Sequence, residues 1–203
     1  MKKTVRLIFI ISMCFALTAC RNNDFVNLSS FIDHYNAVSE EENRIDFSDF
    51  LIDDSENKQT ASFFPFGTYN IAVRLENDAL NQIGEARIVL RKTDKNIHPL
   101  TLTENDLNCF LQACNKTVFA LSNREISEVP EQILPASVSE LLKENEKTAD
   151  CGGYYFIFYS NSLVSEVIIR NNQLKQTETT GKPENKVPFA QMTETRENTV
   201  PHK

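Results

Sequence analysis

The stretch TYNIAVRLE, residues 68–76, decides the fold. Large apolar side chains recur there at every second position, namely Tyr69, Ile71, Val73 and Leu75. A period of two is typical of a strand that buries one face, as strands of antiparallel sheets commonly do. The stretch EARIVLRK, residues 85–92, repeats the pattern, with Ala86, Ile88 and Leu90 opposite Glu85, Arg87 and Arg91. The two stretches predict two strands of an antiparallel sheet.

Two helices are predicted on either side of these strands. The first covers Phe25 to Val38, with Asp24 as N-cap. Its apolar face is formed by Phe25, Leu28, Phe31, Ile32 and Tyr35. The second begins after Thr103, which forms a capping box with Asp106, and ends near Leu121. Its apolar face is formed by Leu107, Phe110, Leu111, Cys114 and Val118.

The remaining elements are less regular. Residues 45–52 predict a bulged strand. Asp46, Asp49, Asp53 and Asp54 are expected on its solvated face and at its end rather than in a calcium loop, whose spacing is absent. Residues 122–150 predict short helical pieces that dock through Leu141 and Leu142. The apolar run from Tyr154 to Tyr159 predicts a central strand covered on both faces, and LVSEVIIR, residues 163–170, predicts its hairpin partner.

This order predicts one α+β domain over residues 25–170, an antiparallel sheet with helices packed on one face. Residues 171–203 are rich in Thr, Glu, Asn, Gln and Lys and keep no apolar period, so they predict a disordered polar tail.

The first twenty residues, MKKTVRLIFIISMCFALTAC, have the features of an export signal. Lys2, Lys3 and Arg6 precede an apolar core from Leu7 to Leu17, which is too short for a permanent membrane span. The ending Leu17-Thr18-Ala19-Cys20 resembles the lipobox of bacterial lipoproteins. This resemblance implies that residues 1–19 are a signal peptide, that Cys20 receives the lipid, and that residues 20–24 are the lipidated cysteine and a short tether.

The resemblance also implies a location. The chain would be extracytoplasmic and held in a bacterial membrane by the lipid on Cys20, since two or more acyl chains suffice for stable attachment. Arg21 follows the cysteine, where an Asp would favour the inner membrane of a Gram-negative cell. An outer-membrane location is therefore expected if the host has one.

Charge excludes one class of partner. The chain has 21 Lys and Arg against 28 Asp and Glu, a net charge of −7. Without Lys2, Lys3 and Arg6 the balance is 18 − 28 = −10. Such a body is repelled by phosphate backbones, and no basic patch is evident, so we expect no nucleic-acid partner.

Three cysteines follow the export segment, in a compartment where disulfides persist. Cys114 lies on the apolar helix face and Cys151 begins a buried strand, so we expect a Cys114–Cys151 bridge, with Cys109–Cys151 as the alternative. Scattered His34 and His98 do not complete a zinc pattern, so neither metal nor cofactor is expected.

The sequence contains no catalytic motif. G-x-S-x-G, H-E-x-x-H, C-x-x-C and a glycine-rich phosphate loop are all absent. A Cys151–His98 nucleophile pair is conceivable, but a structural cysteine explains Cys151 more simply. We therefore expect a non-enzymatic binding module of the cell envelope, whose partner is an unknown envelope protein or polymer.

Two surfaces are candidates for that contact. One is the sheet face left free by the helices. The other is the loop carrying Phe63, Phe64 and Phe66, although a corner of the core is the favoured explanation of these aromatic residues. The alternative function is a small-ligand carrier, with an aromatic pocket formed by Tyr154, Phe156 and Phe158. A hydrolase with an unrecognised site is the third possibility.

Overall fold

The fold is one seven-stranded antiparallel sheet. The computed structural model describes residues 26–172, except 56–57, 78–81 and 123. The strands are β1 (Leu51–Ser55), β2 (Lys58–Phe63), β3 (Ile71–Asn77), β4 (Ile83–Arg91), β5 (Asn145–Cys151), β6 (Tyr154–Ser160) and β7 (Val164–Asn171). Their spatial order is β1-β2-β3-β4-β7-β6-β5, so two meanders meet where β4 pairs with β7.

The described part of the chain has three α-helices beside the sheet: α1 (Leu28–Ala37), α2 (Glu104–Ser122) and α3 (Val138–Leu141). The predicted capping box of α2 is confirmed, because the Thr103 backbone donates to Asp106 at 2.8 Å and the Asp106 backbone donates to Thr103 Oγ1 at 3.2 Å. The start of α1 differs from the prediction. Asn27, not Asp24, is its N-cap, and the Asn27 side chain accepts from the backbone of Ser30 at 2.9 Å. No helix in the described chain combines the length and apolarity needed to cross a bilayer.

The core lies between the helices and one face of the sheet, which confirms the predicted α+β architecture. Residues paired across the sheet point to the same side, as in the row Val73, Ile88, Val167 and Phe158. These side chains are fully buried against α1 and α2, where Phe31, Tyr35 and Phe110 are also fully buried. Within residues 26–172, as far as they are described, the other face carries no helix, and below we call it the open face.

Several element predictions were wrong for physical reasons. The strand expected to begin at residue 45 begins at Leu51, because Asp46 and Asp49 form a capping box around a 3-10 turn at Phe47–Asp49. The strand β5 was missed because NEKTADC has almost no apolar alternation. Only Ala149 of that strand is buried.

The strand β6 is open on one face rather than covered on both. Phe156 and Phe158 are fully buried, whereas Tyr159 on the open face is exposed. Gly152 and Gly153 form the tight turn between β5 and β6. Their φ angles are 55° and 83°, as a two-residue hairpin of the right twist requires. The predicted lower boundary of the polar tail also moves, since Asn171 is still in β7.

Candidate functional site

The two ends of the sheet differ in what they carry. Both limits of the described chain lie at one end: the Val26 carbonyl accepts from the Ile83 backbone at 2.9 Å, and the Asn172 backbone donates to the Gly153 carbonyl at 2.9 Å. We call this the terminal end. The opposite end, where β1, β3, β5 and β7 start and β2, β4 and β6 stop, we call the far end.

Exposed apolar side chains concentrate at the far end. Of nine large apolar residues exposed in the described chain, eight lie in far-end loops or within two residues of a far-end strand terminus. They are Phe47, Leu51, Ile52, Tyr69, Ile97, Leu142, Tyr159 and Leu163. The ninth, Val38, directly follows α1. Because these eight follow the whole edge from β1 to β5, the far end is a candidate interaction surface.

The most exposed of these residues are Tyr69 and Ile97, at 76% and 67% of their full accessible surface. Ile97 lies at the tip of a short loop after β4 and has a φ of 66°, a left-handed conformation that β-branched residues avoid. Asp94 Oδ1 fixes the loop by accepting from the backbones of Asn96 and His98, both at 2.8 Å. The hydrogen bond from the His98 backbone has the largest effect on the pKa of Asp94 and lowers it, and the hydrogen bond from the Asn96 backbone lowers it further. A rigid loop therefore holds a strained isoleucine in solvent.

The aromatic loop between β2 and β3 also belongs to the far end, but its three candidate residues differ. Phe63 is fully buried and contacts the rings of Phe31, Tyr35 and Phe50. Phe63 therefore belongs to the core, as the favoured interpretation of this loop predicted, and it is not available as a partner contact.

Phe64 and Phe66 are half-buried. The Phe64 ring lies 5.4 Å from that of exposed Tyr69. Phe66 has a left-handed φ of 60° and packs against the core, with Lys116 Nζ 5.1 Å from its ring centroid. Of the predicted candidates, these two remain available at the surface.

A buried lysine marks the middle of the far end. Lys92 is 4% exposed, and its Nζ donates to Ser160 Oγ at 2.8 Å and to the Asn161 carbonyl at 2.7 Å. Burial lowers the pKa of Lys92 to about 8, with a smaller opposing effect from Glu144. Sequence reasoning missed this site, although the alternation of Ala86, Ile88 and Leu90 places Lys92 on the buried face.

In some hydrolases a lysine is the base that activates a neighbouring serine hydroxyl, and that hydroxyl is the nucleophile. Here Ser160 and Ser165 are almost completely buried. The Ser160 hydroxyl lies 2.9 Å from the Leu141 carbonyl and 2.8 Å from the Lys143 carbonyl, so its proton is directed to backbone acceptors. This geometry ties β4, β6 and β7 to the end of α3 and gives a substrate no access.

The open face of the sheet is neutralised by its own ion pairs. Arg87 Nη1 lies 3.3 Å from Glu166 Oε1, and Arg87 Nε lies 3.5 Å from Glu76 Oε1. Arg87 also pairs with Glu85. Burial works against the charged guanidinium of Arg87, but the nearby carboxylates outweigh it and raise its pKa. Glu85 also pairs with Arg170. The centre of this face is therefore less suited than the far end to apolar contact.

The three cysteines are free thiols, so the expected Cys114–Cys151 bridge and its Cys109–Cys151 alternative are not formed in this structure. Cys114 is fully buried under α2, where desolvation raises the pKa of its thiol. Cys151 is exposed on the outermost strand β5. His98 lies at the far end and Cys151 at the terminal end of the sheet, so the structure does not bring this conceivable nucleophile pair together.

The aromatic residues expected to line a ligand pocket fill the core instead. Phe156 and Phe158 are fully buried, and the Tyr154 hydroxyl donates to the Leu121 carbonyl at 2.8 Å. Burial raises the pKa of Tyr154 to about 12. Within the described residues, no group of three or more His, Cys, Asp or Glu side chains is placed to hold a metal ion.

Cys20 and the tail from residue 173 onward lie outside the described residues. Comparisons with protein-family models, curated proteins and solved structures give no match to this chain.

Proposed function

We propose that this chain is a non-enzymatic binding module of the bacterial cell envelope, anchored through lipidated Cys20. The observation that carries the proposal is the segregation of exposed apolar side chains to the far end, opposite Val26 and Asn172. Its partner is an envelope protein or polymer that the far end contacts. No enzymatic step is part of this proposal.

The anchor and the far end fit together geometrically. Six residues, 21–26, separate Cys20 from the first hydrogen bond of Val26 to β4. A chain of that length reaches about 20 Å at most. The terminal end would therefore stay near the bilayer, and the exposed apolar residues would point away from it toward other envelope components.

A photocrosslinking experiment in the host membrane tests the binding surface. A photoreactive amino acid replaces Tyr69 or Ile97 at the far end, or exposed Asp150 near the terminal end, in the full chain. We expect one discrete adduct from positions 69 and 97 and none from position 150. Equal adducts at all three positions, or adducts at position 150 alone, would contradict a far-end contact.

The anchor is tested separately by Cys20→Ser. We expect the variant to keep an uncleaved leader, to gain no lipid mass and to lose its stable membrane attachment, because the acidic body adds no electrostatic attraction to anionic lipid. Mass spectrometry of the purified chain measures both cleavage and lipid. An unmodified wild-type Cys20 would disprove the anchor while leaving the far-end contact testable.

A further inference from the structure

One corner of the far end combines an open strand edge with exposed apolar side chains. Among the described residues, the strand β1 is outermost in the sheet and pairs with β2 alone. Phe47, just before it, is 57% exposed, and Ile52 within it is 49% exposed. Leu51 is also exposed, on the opposite side of the strand from Ile52. An outer strand of this kind offers unpaired backbone groups and apolar contacts to another chain.

The same corner has a strong negative charge. Residues 40–54 contain seven carboxylates and one base, Arg44, and all eight side chains are exposed. The carboxylates are Glu40, Glu41, Glu42, Asp46, Asp49, Asp53 and Asp54. None of the ion pairs among the described side chains involves any of them. A partner strand that carries basic side chains would meet complementary charge here.

The opposite edge of the sheet lacks this combination. The strand β5 carries Glu146, Lys147 and Asp150 but exposes no large apolar side chain. Mixed charge without apolar contact is the usual protection of a sheet edge. Exposed apolar side chains are therefore found on the edge strand β1 but not on the edge strand β5. The strand β5 can serve as the control edge when binding to β1 is tested.

We propose that β1 binds an extended basic segment of a partner protein, which adds to the sheet as an eighth, antiparallel strand. This inference rests on the proposed binding function and specifies the class of partner. An antiparallel addition continues the pattern of all six strand pairs in the sheet.

The register of β1 dictates the order of residues in that segment. Ile52 and Asp54 pair with Ala61 and Gln59, and point to the helix side. Leu51 and Asp53 point to the open face. An antiparallel strand therefore meets Asp54, Asp53, Ile52 and Leu51 in turn, and the matching order is two basic residues followed by two apolar residues.

A second copy of this chain is a poor occupant of the same edge. In an antiparallel pair of two β1 strands centred between residues 52 and 53, Asp53 and Asp54 of one copy lie opposite Ile52 and Leu51 of the other. Neither aspartate then meets a base and neither apolar side chain meets an apolar partner, so the contact is unfavourable. The acidic corner therefore selects against self-association as well as for a basic partner.

Peptide titration of the full chain tests the proposal. The probes are capped peptides with the core Lys-Lys-Val-Val or Lys-Val-Lys-Val, which share composition but differ in order. We expect the first to bind at least about tenfold more tightly, because only its order places bases beside both aspartates and valines beside both apolar residues. Equal binding of the two peptides would overturn the proposed register.

Backbone methylation tests strand addition itself. Alternate N–H groups of an added strand point toward β1 and away from it. Methylating the nitrogen of the first lysine or of the second should therefore abolish binding in one peptide and spare it in the other. Equal loss, or no loss, would show that the peptide does not pair with the strand.

Charge reversal locates the site. Asp53→Lys with Asp54→Lys should weaken Lys-Lys-Val-Val binding by about tenfold or more, whereas Glu146→Lys on β5 should leave it unchanged apart from the shift in net charge. Thermal unfolding verifies that each variant is folded. Equal weakening by both, or sedimentation showing self-association of the wild type through β1, would overturn the proposal. Retained crosslinks at positions 69 and 97 would show that the broader binding function survives such a failure.

Discussion

Two apolar residues of the far end, Phe66 and Ile97, have backbone angles that L-amino acids avoid. A left-handed residue other than glycine costs about 1–2 kcal/mol, and asparagine bears this cost more easily than isoleucine. Phe66 gains core packing in return, whereas Ile97 faces solvent. Strain without compensating contacts at an exposed tip is typical of residues kept for binding.

Replacing Ile97 by Asn should therefore separate stability from binding. We expect Ile97→Asn to raise the free energy of unfolding by about 1 kcal/mol, because the left-handed backbone is relieved. Partner crosslinking from position 69 should fall in the same variant. Urea denaturation measures the first effect.

Leu142→Asn is the matched control, because Leu142 is also exposed at the far end but has an ordinary φ of −80°. We expect no stability gain from this change. A gain equal to that of Ile97→Asn would show that backbone strain is not the cause.

The glycine turn between β5 and β6 gives a second prediction at this scale. A Cβ on Gly152 would lie 2.2 Å from Ile126 Cδ1, and φ is already +55°. Gly152→Ala should lower the free energy of unfolding by about 2–4 kcal/mol, from strain and overpacking together.

The comparison is Gly67→Ala, where φ is +62° but nothing lies within 4 Å of the new methyl group. Only the backbone cost of about 1–2 kcal/mol should remain in that variant. Chemical denaturation compares the two, and equal losses would contradict the close packing of Ile126 on the turn.

At the scale of elements, the sequence patterns predicted the strands that bury one face in the core and missed the strand that is mostly exposed to solvent. The strands β3 and β4 were found because each buries one face and repeats every second residue. The strand β5 could not be found, because an outer strand with one buried residue leaves no period to detect. The 3-10 turn at Phe47–Asp49 was hidden by the same apolar spacing that suggested a strand.

The candidate site was predictable only in part. The aromatic loop was identified from its composition, and Phe64 and Phe66 do lie at the surface. The exposure of Ile97 and the position of β1 at the edge of the sheet could not be foreseen, since both depend on which strands meet in space. The pairing of β4 with β7 joins the β1–β4 meander to the β5–β7 meander, and this brings segments that are distant in sequence together at the far end.

The junction of β4, β6, β7 and α3 at Lys92 predicts a pH dependence. The folded-state pKa is about 8, against 10.5 for the unfolded chain. Between these values the unfolded state binds the extra proton, so stability rises with pH through this window and is flat below it. The contribution is at most about 3.4 kcal/mol, since a difference of one pKa unit corresponds to 1.36 kcal/mol.

Lys92→Met removes this titration and isolates it from other groups. We expect the free energy of unfolding of the wild type minus that of the variant to increase between pH 8 and 10.5. Urea denaturation at each pH measures both values. Ser137 precedes α3, is half-buried and hydrogen-bonds Ser139 outside the Lys92 network, so Ser137→Ala should show no such pH-dependent difference. A constant or falling difference for Lys92→Met would contradict the lowered pKa of Lys92.

At the scale of the whole molecule, the proposed anchor and the proposed contact surface lie at opposite ends of the strands. Seven residues of an extended strand span about 23 Å. A probe at the terminal end should therefore lie closer to lipid headgroups than a probe at the far end.

Natural Cys151 makes this measurable in the lipidated chain on vesicles. Its thiol is exposed, whereas Cys114 is buried and burial raises the pKa of Cys109, which slows thiolate chemistry. A dye on Cys151 should be quenched more strongly by headgroup nitroxides than a dye on Ile97→Cys in a Cys151→Ser background. Equal quenching would contradict the orientation.

The strands run from the terminal end to the far end, and this direction has a mechanical consequence. When a partner is held at one end and the membrane holds the other, tension acts lengthwise on the strands. The hydrogen bonds between neighbouring strands lie across that pull, so they resist sliding together instead of opening one by one. A module built this way is suited to keeping two parts of an envelope connected while they are drawn apart.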